Sequence, residues 1–262
     1  MVLAGAIMTL GLALQAPVSW TARADSTADG ARIEIQSPTE DFWISVGAFG
    51  RYSWPWGSLE DHDVIISGNV ILIPDHLRYG DLFDPGTGFS LEASLMIFRP
   101  PPARHGAYGQ VLPSGPYAGL YVSLQADSYE GNNISGGGGF IEPDDLDTTA
   151  VLAGLKVSTD LGGGAFGELR LGLGVVRYEA VDARVAMSLG GEETQELFEE
   201  SESFASELRY RFSARLGPVG LAGGLGFRFM GGPKEGESAL GDLMDAHAFW
   251  SVDLDLGVEL GF

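Results

Sequence analysis

The chain contains no cysteine, so no disulfide can staple it and its stability must come from backbone ladders and packing. Basic residues are scarce. Fifteen Lys and Arg stand against 36 Asp and Glu, for a formal charge of −21. That balance excludes nucleic acid as a partner, because phosphates demand Lys and Arg. Long apolar runs are nearly absent as well. The single candidate, Val2–Leu14, has thirteen residues, short of the ~20 that a spanning helix needs. Glycine, by contrast, is abundant at 39 residues. It suits tight turns and a crowded interior where another backbone or side chain approaches closely.

The apolar start is followed by Ala22-Arg23-Ala24, small residues at the spacing of a signal cleavage site before Asp25. The reading is a signal peptide over 1–24, although its first residues carry no Lys or Arg. A segment 25–41 follows, and the remaining 42–262 form one domain.

That domain is written in period two. Eight runs alternate apolar and polar residues, as strands do when successive side chains face opposite sides. The first spans Phe42–Arg51, with Ile44, Val46 and Ala48 opposite Ser45, Gly47, Phe49 and Arg51. The second sets Phe89, Leu91, Ala93, Leu95 and Ile97 against Ser90, Glu92, Ser94 and Met96. The third runs over 118–127 with Asp127 on its polar face, and the fourth over 151–157 with Lys156 on its polar face. The fifth opposes Leu169, Leu171, Leu173 and Val175 to Glu168, Arg170, Gly172 and Gly174. The sixth covers 204–216 and the seventh 219–229. The last, 246–262, alternates for seventeen residues, where ordinary strands run ~5–6. Charge sits on one face of every run. A one-residue slip would expose it on the apolar face, at ~2–4 kcal/mol for each basic residue in lipid.

The links alternate in length. Ser158–Gly164 and Gly217-Pro218 are short, while 52–88, 128–149, 178–203 and 230–245 are long. Short turns on one side and long loops on the other are the habit of small membrane barrels. The link 99–116, with Pro100, Pro101 and Pro102, is too long for its place. The apolar stretch Val64–Ile73 would make an odd ninth strand, so it is expected to form a hairpin within the first loop or to fold on the barrel mouth. Pro74–Phe83 could then form a short helix.

Eight amphipathic strands, four long loops on one side, and the tail Leu254-Asp255-Leu256-Gly257-Val258-Glu259-Leu260-Gly261-Phe262 resemble the small bacterial outer-membrane barrels of the outer-membrane protein A or X type. The resemblance covers 42–262. It implies an all-β, eight-stranded antiparallel up-and-down transmembrane β-barrel with a filled polar lumen. It also implies an integral outer-membrane location with both termini periplasmic, and a monomer. Outer-membrane lipid and lipopolysaccharide would be its surroundings. Leu254, Leu256, Val258, Leu260 and Phe262 would be the signal read by the barrel assembly machinery.

The polar face nominates the candidate site. Arg170, Arg209, Arg211, Arg215 and Arg228 can meet Glu92, Glu168, Glu207, Asp253, Asp255 and Glu259 across the lumen. Eight strands leave room for side chains and little else, so a paired, closing network is favoured over a charge-lined pore. Tyr210, Phe212, Phe227, Phe229, Trp250 and Phe262 read as membrane-interface aromatics. No catalytic residue is expected. A lipid A-modifying enzyme would need Ser, His and an acid together, and His247 and Ser251 lie ~13 Å apart along a strand. No metal ligand set and no cofactor are expected. The acids at 142–147 and 192–202 lack calcium-loop spacing and read as solvated external loops. The run Gly136–Gly139 reads as a loop tip. The function expected is a structural or surface-interaction role through acidic external loops, with a narrow channel as the second reading.

Overall fold

The computed structural model describes residues 44–61, 64–66, 69–71, 77–98, 116–136, 139–162, 164–187, 191–238, 240–241 and 244–262. The proposed signal peptide, the segment 25–41, Phe42, Trp43 and the Pro-rich link lie outside them. In chain order the strands are β1 (Ile44–Trp56), β2 (Leu59–Asp61), β3 (Val64–Ile66), β4 (Asn69–Ile71), β5 (Gly86–Phe98), β6 (Tyr117–Tyr129), β7 (Ile134–Gly136), β8 (Gly139–Pro143) and β9 (Leu146–Gly162). There follow β10 (Ala165–Tyr178), β11 (Val181–Met187), β12 (Gly191–Glu199), β13 (Ser201–Leu216), β14 (Val219–Met230), β15 (Lys234–Glu235), β16 (Met244–Ala246) and β17 (Phe249–Gly261). A four-residue helix, α1 (Tyr79–Leu82), precedes β5.

Eight strands close into an antiparallel barrel in the order β1-β17-β14-β13-β10-β9-β6-β5. Closure pairs every strand on both sides across the barrel's middle, which is what a β-structure needs in lipid. First and last strands meet: the Phe262 amide donates to the Ile44 carbonyl at 2.8 Å. Both therefore lie at the end that carries the short turns. One of those turns is Gly217-Pro218, where Gly217 takes φ +66°, the conformation a two-residue hairpin asks of its first position.

The alternation read from sequence has one meaning in space. Residues of even number on β1, β13 and β17 face out and are more exposed than their odd neighbours, which face in. On β13 the outward face carries no charge from Phe204 to Leu216. That is about 40 Å along the strand, or about 30 Å of height once a barrel strand's tilt is allowed for. Arg177 and Glu202 mark the rim above it, cross-strand neighbours on β10 and β13.

Several boundaries move, β9 starting at Leu146 and β13 at Ser201, inside the expected links 128–149 and 178–203. β1 runs on to Trp56 and β5 starts at Gly86, because the alternation continues past Arg51. The seventeen-residue final run enters the barrel only from Phe249, and its first residue, Ala246, ends β16, which pairs with β2 instead of joining the barrel. Val64–Ile73 adds no ninth barrel strand: β3 and β4 pair with each other, Val64 opposite Ile71. The helix expected in Pro74–Phe83 is confined to α1, and Pro74 lies outside the described residues.

The long loops build a second structure over the open end. β15-β12-β11-β8-β7 form a five-stranded sheet. The glycine run lies at the β7–β8 hairpin, with Gly136 opposite Gly139 and the two residues between them outside the described set. At Val181/Asp182 the register with β12 shifts, leaving Leu197 without an opposite residue. That bulge turns both Leu197 and Phe198 inward.

Candidate functional site

The barrel interior is stacked in two parts. Next to the short-turn end it is ionic. Six cations (Arg51, Lys156, Arg170, Arg209, Arg211, Arg228) and seven carboxylates (Glu92, Asp127, Glu168, Glu207, Asp253, Asp255, Glu259) are buried. The partly exposed Arg215 supplies a seventh cation and reaches Glu259 at 3.3 Å. The lumen is thus close to neutral, and the chain's negative charge lies elsewhere. A buried charge persists only when paired, and each one here has a partner.

The pairs form a continuous ladder. Lys156 Nζ donates to Glu259 at 2.9 Å and lies 2.7 Å from Glu168. Arg170 bridges Glu168 and Glu92. Arg211 shares Glu92 with it, donating from Nη2 at 2.8 Å, and also holds Asp255 through Nε at 2.7 Å. Arg209 donates to Asp255 at 2.6 Å, Glu207 at 2.8 Å and Asp253 at 3.1 Å. Asp253 takes a further hydrogen bond from Arg51 at 2.6 Å. Arg228 holds Asp127 at 2.7 Å and touches the Tyr129 hydroxyl at 3.1 Å.

Tyr129 is the junction with the second part. Its ring packs on Phe249 at 5.4 Å, and Phe249 on Tyr79 at 4.9 Å. Above it the interior is apolar. Ala150, Leu152, Val176, Ala205 and Met230 from the barrel meet Leu59, Leu77, Leu82, Phe83, Ile141, Val181, Ala183, Val185, Leu197, Phe198 and Leu240 from all four loops. Every one of these is almost fully buried. The Tyr79 hydroxyl ties α1 to the rim by donating to the His247 carbonyl at 2.9 Å. Burial first, then the neighbouring Tyr178 and Glu235, push the Tyr79 phenol well above its ordinary range.

All eleven residues nominated from sequence for the lumen face inward, and each takes part in an ion pair. Arg51, Lys156 and Asp127 were not nominated, although their parity had placed them on the polar face; Gln125, buried beside them, accepts from Arg51 at 2.7 Å and donates to Glu207 at 2.8 Å. The apolar cap carried no signal of period two long enough to read. Tyr210, Phe212, Phe227, Phe229, Trp250 and Phe262 all face outward. Phe229 packs on Trp250 at 4.4 Å and Phe227 on the same indole at 5.2 Å. Tyr52, Trp54 and Trp56 join this outer girdle from the part of β1 expected to be loop. Leu254, Leu256, Val258, Leu260 and Phe262 line the outward face of β17.

Ser251 and His247 do not share a site: Ser251 is buried and donates to Asp253 at 2.8 Å, while the His247 side chain is exposed. The acidic loop segments are structured and partly paired. Glu142 meets Arg184, Glu199 meets Lys234 and Glu200 meets Arg177. Among the described residues no group of three or more His, Asp or Glu could hold a metal ion.

A closed eight-stranded barrel, apolar outside and ionic within, is a transmembrane β-barrel of the outer-membrane type. Solved structures of the same architecture include Neisserial surface protein A (NspA), 14% identical over 84% of this chain and 97% of that one, with a TM-score of 0.44. Two structures of Ail, the attachment invasion locus protein of Yersinia pestis, are also similar. The free one is 12% identical over 85% and 100% of the two chains, with a TM-score of 0.40. The one in complex with the heparin analogue sucrose octasulfate is 13% identical over 83% and 98%, with a TM-score of 0.37. The likeness is one of general fold. No family model and no curated protein matches the sequence.

Proposed function

We propose that this protein is a sealed barrel of the bacterial outer membrane that presents a folded acidic cap at the cell surface, and that its role is structural or interactive, not enzymatic. The observation that carries the reading is the two-part interior. A neutral ion-pair ladder fills the lower lumen, and a continuous apolar core drawn from all four loops closes the mouth. Such a lumen offers permeating ions neither a free charge nor a wet path, which disfavours the channel reading. Catalysis would need a nucleophile beside its base, and the nearest such set, Ser251 with His247, is split between interior and surface.

The cap's outer surface supports an interaction role. Asp144, Asp145, Glu192 and Glu193 are exposed on it, so partners would be cationic or bridged by divalent ions. Both chain ends, the assembly signal and monomeric insertion into lipid and lipopolysaccharide belong to the same proposal.

The absence of cysteine makes topology directly testable. Glu193→Cys should react with a membrane-impermeant maleimide on intact cells, and Pro218→Cys only after lysis. The opposite pattern would invert the barrel and end the surface role. Mass spectrometry of lipid A from cells with and without the protein should show identical species; a changed species would make it an enzyme.

A further inference from the structure

The barrel wall has a notch at its outer rim. β1 and β5 are paired only as far as Ser53 opposite Gly86. β1 then runs on alone on that side through Trp54, Pro55 and Trp56. Pro55 has no amide hydrogen, so this open edge is short of one donor. α1 packs against the overhang, and a Cβ on Gly80 would stand 3.2 Å from the Pro55 carbonyl oxygen. Between these elements lies a cavity of about 500 Å³, lined among others by Trp54, Trp56, Arg78 and Asp81.

The notch has the chemistry of a lipid headgroup site. Trp54 and Trp56 face outward in the girdle, where indoles mark the boundary between hydrocarbon and headgroups. Arg78 is exposed beside them, and its backbone amide is held by Asp81 at 2.8 Å. The other external cations, Arg177, Arg184 and Lys234, are each neutralised by a glutamate. Among the described residues Arg78 has no carboxylate partner for its guanidinium. It stands at the membrane rim of an acidic surface, with the Asp81 carboxylate turned to its backbone amide.

Below the notch the lipid-facing wall is furrowed. At one level around the barrel the outward residues read Phe212, Gly223, Leu256, Gly50, Phe89, large and small in turn. A groove of about 850 Å³ follows, lined among others by Gly50, Tyr52, Leu254 and Leu256. Gly50 lies four residues below Trp54 on β1, or ~13 Å along the strand. A cation above and a hydrocarbon furrow below, on one wall and in that order, match the two ends of one amphiphile.

We propose that the notch and furrow together bind one anionic membrane lipid, its phosphate on Arg78 and an acyl chain in the Gly50 groove. Charge complementarity selects an anionic headgroup. Continuity with the lipid-facing girdle selects a lipid over a free anion. The site rests on the barrel spanning a membrane.

The test uses the full protein in vesicles of phosphatidylcholine with a minor fraction of phosphatidylglycerol, with brominated chains on one lipid or the other. Bromine quenches nearby tryptophan, so in a background with Trp20, Trp43 and Trp250 replaced by Phe Trp54 and Trp56 report which lipid stands beside them. Brominated phosphatidylglycerol should quench well above its mole fraction in that background. Arg78→Gln should lower that preference about tenfold, the scale of a charged hydrogen bond. Gly50→Leu should lower it too. The Cβ of that leucine meets nothing closer than the Leu256 carbonyl oxygen at 3.9 Å, so the variant should fold while its side chain fills the furrow. Mole-fraction quenching in that background, or an unchanged preference in Arg78→Gln, would overturn the site alone. Displacement by millimolar inorganic phosphate would make it a phosphate site and overturn the lipid assignment. Absence of quenching by either lipid would overturn the membrane-spanning reading and the site with it.

Discussion

Arg209 lies directly opposite Gly226 on the next strand, Arg211 opposite Gly224, and Arg215 opposite Gly220. Each long side chain lies across the space a partner side chain would take. A Cβ on Gly226 would come within 2.9 Å of the Arg209 guanidinium, and one on Gly224 within 2.3 Å of the Tyr210 carbonyl oxygen. A guanidinium can move and a strand carbonyl cannot. Gly224→Ala is therefore predicted to cost more than Gly226→Ala, by about 1–3 kcal/mol as an overpacked site does, measured by urea unfolding in vesicles. Arg170 lies opposite both Lys156 and Arg209, an arrangement that repels in isolation. It is tolerated because carboxylates from other levels reach between the cations. Removing one member strands the rest: Arg209→Ala leaves Glu207, Asp253 and Asp255 each short of a donor. The predicted loss is about 3–5 kcal/mol, as for other broken buried pairs, and an unchanged midpoint would show that the ladder contributes little. Parity alone told that these residues face inward. It could not tell which of them meet, since strands in a barrel are tilted and staggered and partners come from different levels. Arg51, Lys156 and Asp127 had inward parity, yet their place in the network became visible only in three dimensions.

At the scale of elements, the eight membrane strands were legible because lipid outside and charge inside impose a strict period of two along their whole length. The cap was not. Its strands are short, its core is assembled from four loops far apart in sequence, and its inward turn at Leu197 and Phe198 depends on a bulge that breaks the period. Trp54 and Trp56 fell within the link placed at 52–88; the girdle that they join exists only once β17 and β14 stand alongside. The cap and the barrel are separable in stability. Phe198→Ala empties the centre of the cap and is predicted to cost it about 3–5 kcal/mol, as large core truncations do. Proteolysis of the long loops should accelerate, while the barrel keeps its compact mobility on unheated gels. Loss of that mobility would mean that cap and barrel fold as one unit. Tyr79→Phe removes one hydroxyl from the His247 carbonyl, and a smaller effect of about 1 kcal/mol is expected in the same assay.

The whole molecule divides its charge sharply. Seven cations and seven carboxylates cancel inside the barrel, so the formal −21 belongs to what lies outside the lumen. The wall between is uncharged for the height of a bilayer. That division explains how a strongly acidic chain can cross lipid at all, and why its mouth is closed by apolar side chains instead of water. Its central prediction is a barrel that does not conduct. Wild-type protein inserted into a planar bilayer should give no steady current, while Phe198→Ala combined with Arg209→Ala, which opens the cap and breaks the ladder, should leak. A steady ion-selective current from the wild-type protein would contradict the account.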